Sequence, residues 1–214
     1  MDIADAAGIQ VAPHGLIRIH DEWAYITKRV DRKAYKNGRF EMFAMEDFCQ
    51  LSERLTQDKY KGSYEKCVAI ISRYSERPGL DLAEFFLRLL ICFVTGNSDM
   101  HLKNFSLIEL QPGLREFVLS PAYDLLPVNL VMPEDTEETA LTLNGKKSRL
   151  KRQDFMSLAQ RCKIHPRAAE KMIKRITSRL PEYVELCEGC CLPEDMKQEM
   201  ITMMEDRVQI LDQE

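Results

Sequence analysis

The sequence predicts an α+β fold that is mainly α, and three observations predict it. Leu82 to Thr95 is an apolar run in which Phe85, Phe86, Leu89, Leu90, Cys92, Phe93 and Val94 would cover nearly the whole circumference of a helix, so that helix belongs inside a core. Four more helical stretches fill the last third: Asp154 to Cys162, Pro166 to Leu180, Pro181 to Glu188 and Pro193 to Leu211. Their prolines sit near first-turn positions, where a missing N–H costs little. Strand-like residues are confined to short stretches near the start, around residues 105–119 and at Ala140 to Leu143.

Taken in order, Asp2 to Gly8 reads as a short helix that Gly8 ends. Ile9 to Arg18 and Trp23 to Val30 read as strands around a His20-Asp21-Glu22 turn, a hairpin at the edge of a larger sheet. Asp31 to Arg39 is a charged loop with a tight turn at Asn37-Gly38. Met42 to Thr56 reads as a helix because Met45, Phe48, Cys49 and Leu51 or Ser52 recur on one face. Ser63 is placed to cap a second helix with Tyr64, Cys67, Val68, Ile71 and Tyr74 on one side, ended by Arg77-Pro78-Gly79. Asp81-Leu82-Ala83-Glu84 has the form of a capping box and opens the apolar helix. Phe105 to Leu110 and Glu116 to Leu119 form a hairpin around Gln111-Pro112-Gly113, Met132 to Glu138 reads as a solvated acidic loop, and Ala140 to Leu143 is a short strand ending at an Asn144-Gly145 turn. With no flexible linker, repeat or low-complexity tract, residues 1–214 read as a single domain.

Composition removes several function classes. The 214 residues are 45% hydrophobic, enough for a substantial core, and the formal charge of -4 gives no general attraction to nucleic acid. The longest apolar candidate, Phe85 to Val94, is interrupted by Arg88 and is too short to span a membrane. Met1 to Asp5 is acidic, unlike a signal peptide, and seven scattered cysteines fit reduced thiols, so a cytoplasmic protein is expected. Cys187, Cys190 and Cys191 offer half of a zinc site without a second half and read as free thiols. The basic run Lys146, Lys147, Arg149, Lys151 and Arg152 reads as an exposed turn and helix approach, with help in holding a protein substrate as the alternative.

The chemistry concentrates in Gly96-Asn97-Ser98-Asp99-Met100-His101-Leu102-Lys103-Asn104-Phe105, answered by Ser120-Pro121-Ala122-Tyr123-Asp124. Asp99 stands five residues before Asn104, and Asp124 returns twenty residues after it, beyond the hairpin. Phosphoryl transfer of the protein-kinase type needs one Asp to take the hydroxyl proton, an Asn five residues on to hold Mg²⁺, and a second Asp to bridge metal and phosphates. Ala24-Tyr25-Ile26-Thr27-Lys28 imitates the kinase strand that ends in a phosphate-binding Lys. No two of the nine glycines are close enough for G-x-G, so the imitation lacks its context.

These motifs resemble the HipA family of bacterial serine/threonine kinases, the toxin halves of HipBA- and HipBST-type toxin-antitoxin systems. Ala6-Ala7-Gly8-Ile9, Val30-Asp31-Arg32, Met45 to Leu51, Lys59-Tyr60 and Leu141 to Lys146 extend the resemblance over nearly the whole chain. It implies a protein-kinase-like C-lobe with a short N-terminal β-hairpin, residues 1–30 being a remnant of the upper lobe and hinge and residues 31–214 the helical lower lobe. It implies Asp99 as catalytic base, His101 and Lys103 near the phosphates, Asn104 and Asp124 as Mg²⁺ ligands, and Tyr123 beside the nucleotide. Lys28 to Val30 would be the hinge whose backbone meets the adenine of ATP.

By the same resemblance the substrate is a protein, with aminoacyl-tRNA synthetases as the family's targets. The implied partners are a HipB-like antitoxin or a separate upper-lobe subunit, with no membrane and no direct nucleic acid. The family's Ser-containing phosphate loop and strand Lys have no counterpart here. A truncated reading frame, an upper lobe supplied by another polypeptide, or an inactive remnant would each account for that. A non-catalytic interaction protein and a metal-dependent hydrolase are the readings from other classes.

Overall fold

The computed structural model describes residues 1–213. In chain order it comprises α1 (Asp2–Ala6), β1 (His14–Ile19), β2 (Glu22–Thr27), β3 (Arg32–Ala34), β4 (Phe40–Met42), β5 (Met45–Asp47), α2 (Phe48–Leu51), α3 (Tyr64–Tyr74), α4 (Pro78–Val94), β6 (Ser106–Glu109), β7 (Phe117–Leu119), α5 (Val128–Val131), α6 (Arg152–Arg161), α7 (Pro166–Thr177), α8 (Leu180–Glu188) and α9 (Glu194–Asp212). No helix among the described residues is long and apolar enough to cross a membrane.

Helix α4 is the axis of the molecule. Phe85, Phe86, Leu90 and Val94 are fully buried, and α3, α6, α7, α9 and β7 all pack on it, as its apolar circumference requires. It begins at Pro78, with Asp81 in its first turn, so the expected cap at Asp81 is corrected. Proline's fixed φ suits the first turn, and the Asp81 carboxylate serves tertiary structure instead, accepting from Ser75 Oγ at 2.6 Å and the Leu119 N–H at 2.7 Å. Ser63 caps α3 as read, its Oγ accepting from Lys66 N.

The strands divide into a buried sheet and two exposed ribbons. Antiparallel β5-β6-β7, with Leu107 opposite Leu119 and Met45 opposite Ile108, forms a sheet whose central strand β6 is wholly buried. Its presence corrects the helix expected over Met42 to Thr56. Residues 45–47 pair with β6, and the helix is a single turn opened by Asp47, which forms a capping box with Gln50. Backbone pairing available only in the tertiary fold outweighs the apolar spacing there.

Strands β1 and β2 pair only with each other, which corrects the expected edge of a larger sheet. Residues 9–13 lie outside β1 and touch the body through a parallel bridge from Val11 to Ala122. The expected charged loop is a second ribbon, β3-β4, closed at Asn37-Gly38 as the turn residues required. Ala140 to Leu143 contributes isolated bridges rather than a strand, although Asn144 and Gly145 adopt the left-handed turn expected of them.

Candidate active site

Helix α4 delivers the 96–104 loop through Gly96, whose φ of +73° ends the helix in a conformation that L side chains rarely adopt. Within the loop, Asp99 presents its Oδ1 to the Tyr60 hydroxyl at 2.7 Å, and its N–H donates to Asn97 Oδ1. The Asn104 amide donates to the Asp99 carbonyl at 3.0 Å. Asn104 is 3% exposed, yet its Oδ1 accepts no hydrogen bond from the described residues. The loop is thus tied to itself through its polar groups while one amide oxygen is left over.

Asp124 belongs to the segment that follows β7. Its φ of +56° is unusual for a residue with a side chain, and its exposed carboxylate has no hydrogen-bond or ion-pair partner among the described residues. Two backbone bonds hold the segment from the N-terminal side: Ala122 N–H to Gln10 O at 2.7 Å, and Ala12 N–H to Ala122 O at 2.8 Å. A third tie joins the two motifs directly, because the half-buried Tyr123 donates its hydroxyl to the Lys103 carbonyl at 2.9 Å and lies 2.5 Å from Ser106 Oγ. Burial pushes the Tyr123 phenol up to about 12.

Five of the predicted residues line two separate hollows, and His101, Asn104 and Asp124 line neither. Lys28, Val30, Lys103 and Tyr123 line a cleft of about 390 Å³ between the ribbons and the body, together with Asp31, Met45 and Asp47. Neither the N–H nor the C=O of Val30 is hydrogen bonded within the described chain, so an edge of backbone is presented to that cleft. Asp99 instead lines a hollow of about 460 Å³ with Tyr60, Ser98, Leu126, Val131 and Met132. The acidic 132–138 stretch walls this hollow, and its Asp135 accepts from Ser98 Oγ at 2.8 Å.

His101 lies between these regions, 5% exposed, with its ring edge-on to Tyr60 at 5.1 Å and its Nδ1 buried without a partner. Burial lowers its pKa, reinforced by Lys59 and opposed by Asp99 and Asp124, so neutral imidazole is favoured. Lys103 is not a free cation. It pairs with Asp47 at 2.8 Å, a bond that raises its pKa.

Tyr60 and Asp47 are the functional neighbours that sequence reasoning missed as such. Their partners lie 39 and 56 positions away, and no spacing rule connects them. Asn104 Oδ1 and the Asp124 carboxylate are oxygens without a hydrogen-bond partner among the described residues, the donor type that a hard divalent cation takes alongside phosphate and water. The described residues hold no cluster of three His, Cys, Asp or Glu that would bind a metal unaided.

Of the three cysteines in the zinc alternative, Cys190 is half-buried and Cys191 exposed, and Cys187 is the least available. Cys187 is buried, its Sγ donates to the Lys197 carbonyl, and burial pushes its pKa up to about 11. Three of the five residues of the basic run serve structure: Lys146 pairs with Asp154, Lys147 with Glu137, and Arg152 bonds the Leu211 carbonyl, while Arg149 and Lys151 are exposed. A hollow of about 1100 Å³ lies against this run between α6, α7 and the end of α9, away from the motif residues.

Comparison with known proteins bears on the family and the fold. A family model described as the HipA-like C-terminal domain matches residues 1–184. "Putative kinase Y4dM" of Sinorhizobium fredii is 32% identical over 175 residues, 81% of this chain and 39% of that protein. A "Putative kinase" of Haemophilus influenzae is 30% identical over 67% of this chain and 43% of its own length. The chain therefore spans about two fifths of these curated relatives.

Among solved structures, the Shewanella oneidensis HipA chain, determined with HipB and operator DNA, superposes with a TM-score of 0.85 at 18% identity, covering 100% of this chain and 56% of its own. The Helicobacter pylori proinflammatory kinase CtkA gives 0.66 at 15% identity, covering 98% of this chain and 77% of its own. The fold is that of these kinases.

Proposed function

This chain belongs to the HipA-like C-terminal domain family, and from that premise we propose that it is the lower lobe of an ATP-dependent serine/threonine protein kinase acting in a toxin-antitoxin system. Asp99 accepts the proton of a Ser or Thr hydroxyl as that oxygen bonds the γ-phosphorus of ATP. The bond to the bridging oxygen breaks, and ADP leaves with the electron pair. Mg²⁺, held by Asn104 and Asp124, would neutralise charge on the phosphates. The free backbone edge at Val30 meets the adenine, while Tyr123 braces the cleft wall by its bond to the Lys103 carbonyl.

One observation carries the reading. Asn104 spends its amide N–H on the Asp99 carbonyl, leaving its amide oxygen without a donor among the described residues on the same loop as the candidate base. A hydrolase would use the same groups around a self-sufficient metal cluster, which the described residues do not supply. Efficient transfer further requires a glycine-rich loop and Lys above the phosphates, from the same or a separate polypeptide. A HipB-like protein is the partner we infer, by analogy with the HipA neighbour.

The experiment is Asp99→Asn, assayed for phosphate transfer from Mg-ATP to protein hydroxyls. Transfer should fall by about 10³-fold or more with the melting temperature unchanged, and retained transfer would refute Asp99 as base. A second reading, a non-catalytic interaction module, is favoured by the exposed Leu16, Trp23, Tyr25, Phe40 and Met42 of the two ribbons. Binding of Mg-ATP to the wild-type chain separates the two.

A further inference from the structure

We infer that Tyr60 is a positioning residue for Asp99, and that residues 59–64 form a clasp on the 99–102 segment; the inference rests on the reading of Asp99 as proton acceptor and deepens it. Asp99 has two carboxylate oxygens. Oδ1 accepts the Tyr60 hydroxyl at 2.7 Å, and Oδ2 accepts nothing from the described residues. The bond from the Asp99 N–H to Asn97 fixes the main chain and leaves the side-chain torsion free. Tyr60 is therefore the group among the described residues that selects the carboxylate rotamer, and with it the oxygen presented to an incoming hydroxyl.

Tyr60 is itself held from three directions. Its ring meets His101 edge-on at 5.1 Å, Lys59 Nζ stands 4.9 Å from the ring centre, and the Lys59 carbonyl accepts the Leu102 N–H at 3.2 Å. Four residues on, the buried Tyr64 hydroxyl donates to the Met100 carbonyl at 3.1 Å. The 59–64 segment thus reaches the 99–102 segment three times: twice at its backbone, and once, through Tyr60, at the carboxylate.

The same segment is stitched to residues beside the Asp99 hollow: at the Ser63–Thr142 bridge the Tyr64 N–H donates to the Thr142 carbonyl and Thr142 Oγ1 donates to the Gly62 carbonyl. Tyr60 lines that hollow and is 44% exposed, so its hydroxyl faces the space an acceptor side chain would enter. Burial, then the bond to Asp99 and its charge, push the phenol up to about 12, which keeps it a donor through the neutral range.

The test uses the full chain, labelled with ¹³C and ¹⁵N, as wild type, Tyr60→Phe and Tyr60→Ala. Phenylalanine keeps the contacts with His101 and Lys59 and removes only the donor. Three-bond couplings should report one Asp99 χ1 rotamer in the wild type and averaged rotamers in Tyr60→Phe, with α4 amide shifts unchanged. Wild-type couplings in Tyr60→Phe, with averaging only in Tyr60→Ala, would overturn the inference and leave Tyr60 as packing.

In parallel, transfer from Mg-ATP to casein should lose about tenfold to a hundredfold in kcat in Tyr60→Phe, with KM for ATP unchanged. A kcat equal to wild type would also overturn the inference. A wild-type chain that neither binds Mg-ATP nor transfers phosphate counts against the kinase reading, while the couplings still decide whether Tyr60 holds Asp99.

Discussion

The helical body and the two N-terminal ribbons are built from similar residues used in opposite ways. In the body, the aromatic and branched side chains of α4 from Leu82 to Val94 are buried, and Phe85 carries that packing to the 96–104 loop through Phe105, with ring centres 5.1 Å apart. In the ribbons, Leu16, Trp23, Tyr25, Ile26, Phe40 and Met42 are each more than half exposed. The hydrophobic effect acts on area removed from water, so the first set stabilises the fold and the second does not. The cleft lined by Lys28 to Asp31 on one side and by Asp47, Lys103 and Tyr123 on the other lies where these two regimes meet. Its floor is rigid, and its far wall is held to the floor by short backbone ties around Ala122.

That contrast can be broken by substitution. Phe85→Ala should cost about 3–5 kcal/mol, lowering the melting temperature by roughly 10 °C, because it opens a cavity between α4, Tyr64 and Phe105. Gly96→Ala comes next, at about 1–2 kcal/mol, since alanine is strained at a φ of +73°. It also crowds Met203, whose side chain lies 2.6 Å from where a Cβ would stand. Trp23→Ala should change stability by less than about 0.5 kcal/mol in urea or thermal unfolding. A Trp23 loss as large as that of Phe85 would mean that the ribbon is packed in solution, and the comparison would fail.

The last effect is read as a slope against pH. His101 has a folded-state pKa lowered by burial, so the unfolded chain binds more protons as pH falls below its ordinary value of about 6.5. Stability should be unaffected by this group above that pH and decline as pH drops toward the folded value. His101→Gln should flatten that part of the urea-unfolding profile.

Much of the body was legible because helices announce themselves locally. Periodicity found α3 and α6 to α9 within a few residues of their observed limits, Ser63 was readable as a cap, and Asn37-Gly38 and Asn144-Gly145 as turns. The short strands β3, β4 and β5 were not legible. Three residues carry too little alternation to show a period, and β5 exists because β6 offers it a backbone edge. Asp81 misled for a related reason: its sequence has the form of a cap, while its carboxylate is drawn to the Leu119 N–H, 38 positions away.

The site divides in the same manner. Asp99, His101, Lys103 and Asn104 are nearly contiguous and could be read together, whereas the Tyr60 bond to Asp99 and the Asp47 pairing with Lys103 depend on folding. The side-chain oxygens proposed to hold a cation are ones left without partners among the described residues. That property is invisible in a string of letters.

The most direct measurement is the stabilisation of the full chain by Mg-ATP, followed by thermal unfolding in wild type and Asp124→Ala. The account predicts a rise of several degrees in the wild type at ligand well above its dissociation constant, and its loss in Asp124→Ala. A wild-type chain indifferent to Mg-ATP, or an Asp124→Ala chain stabilised equally, would contradict it.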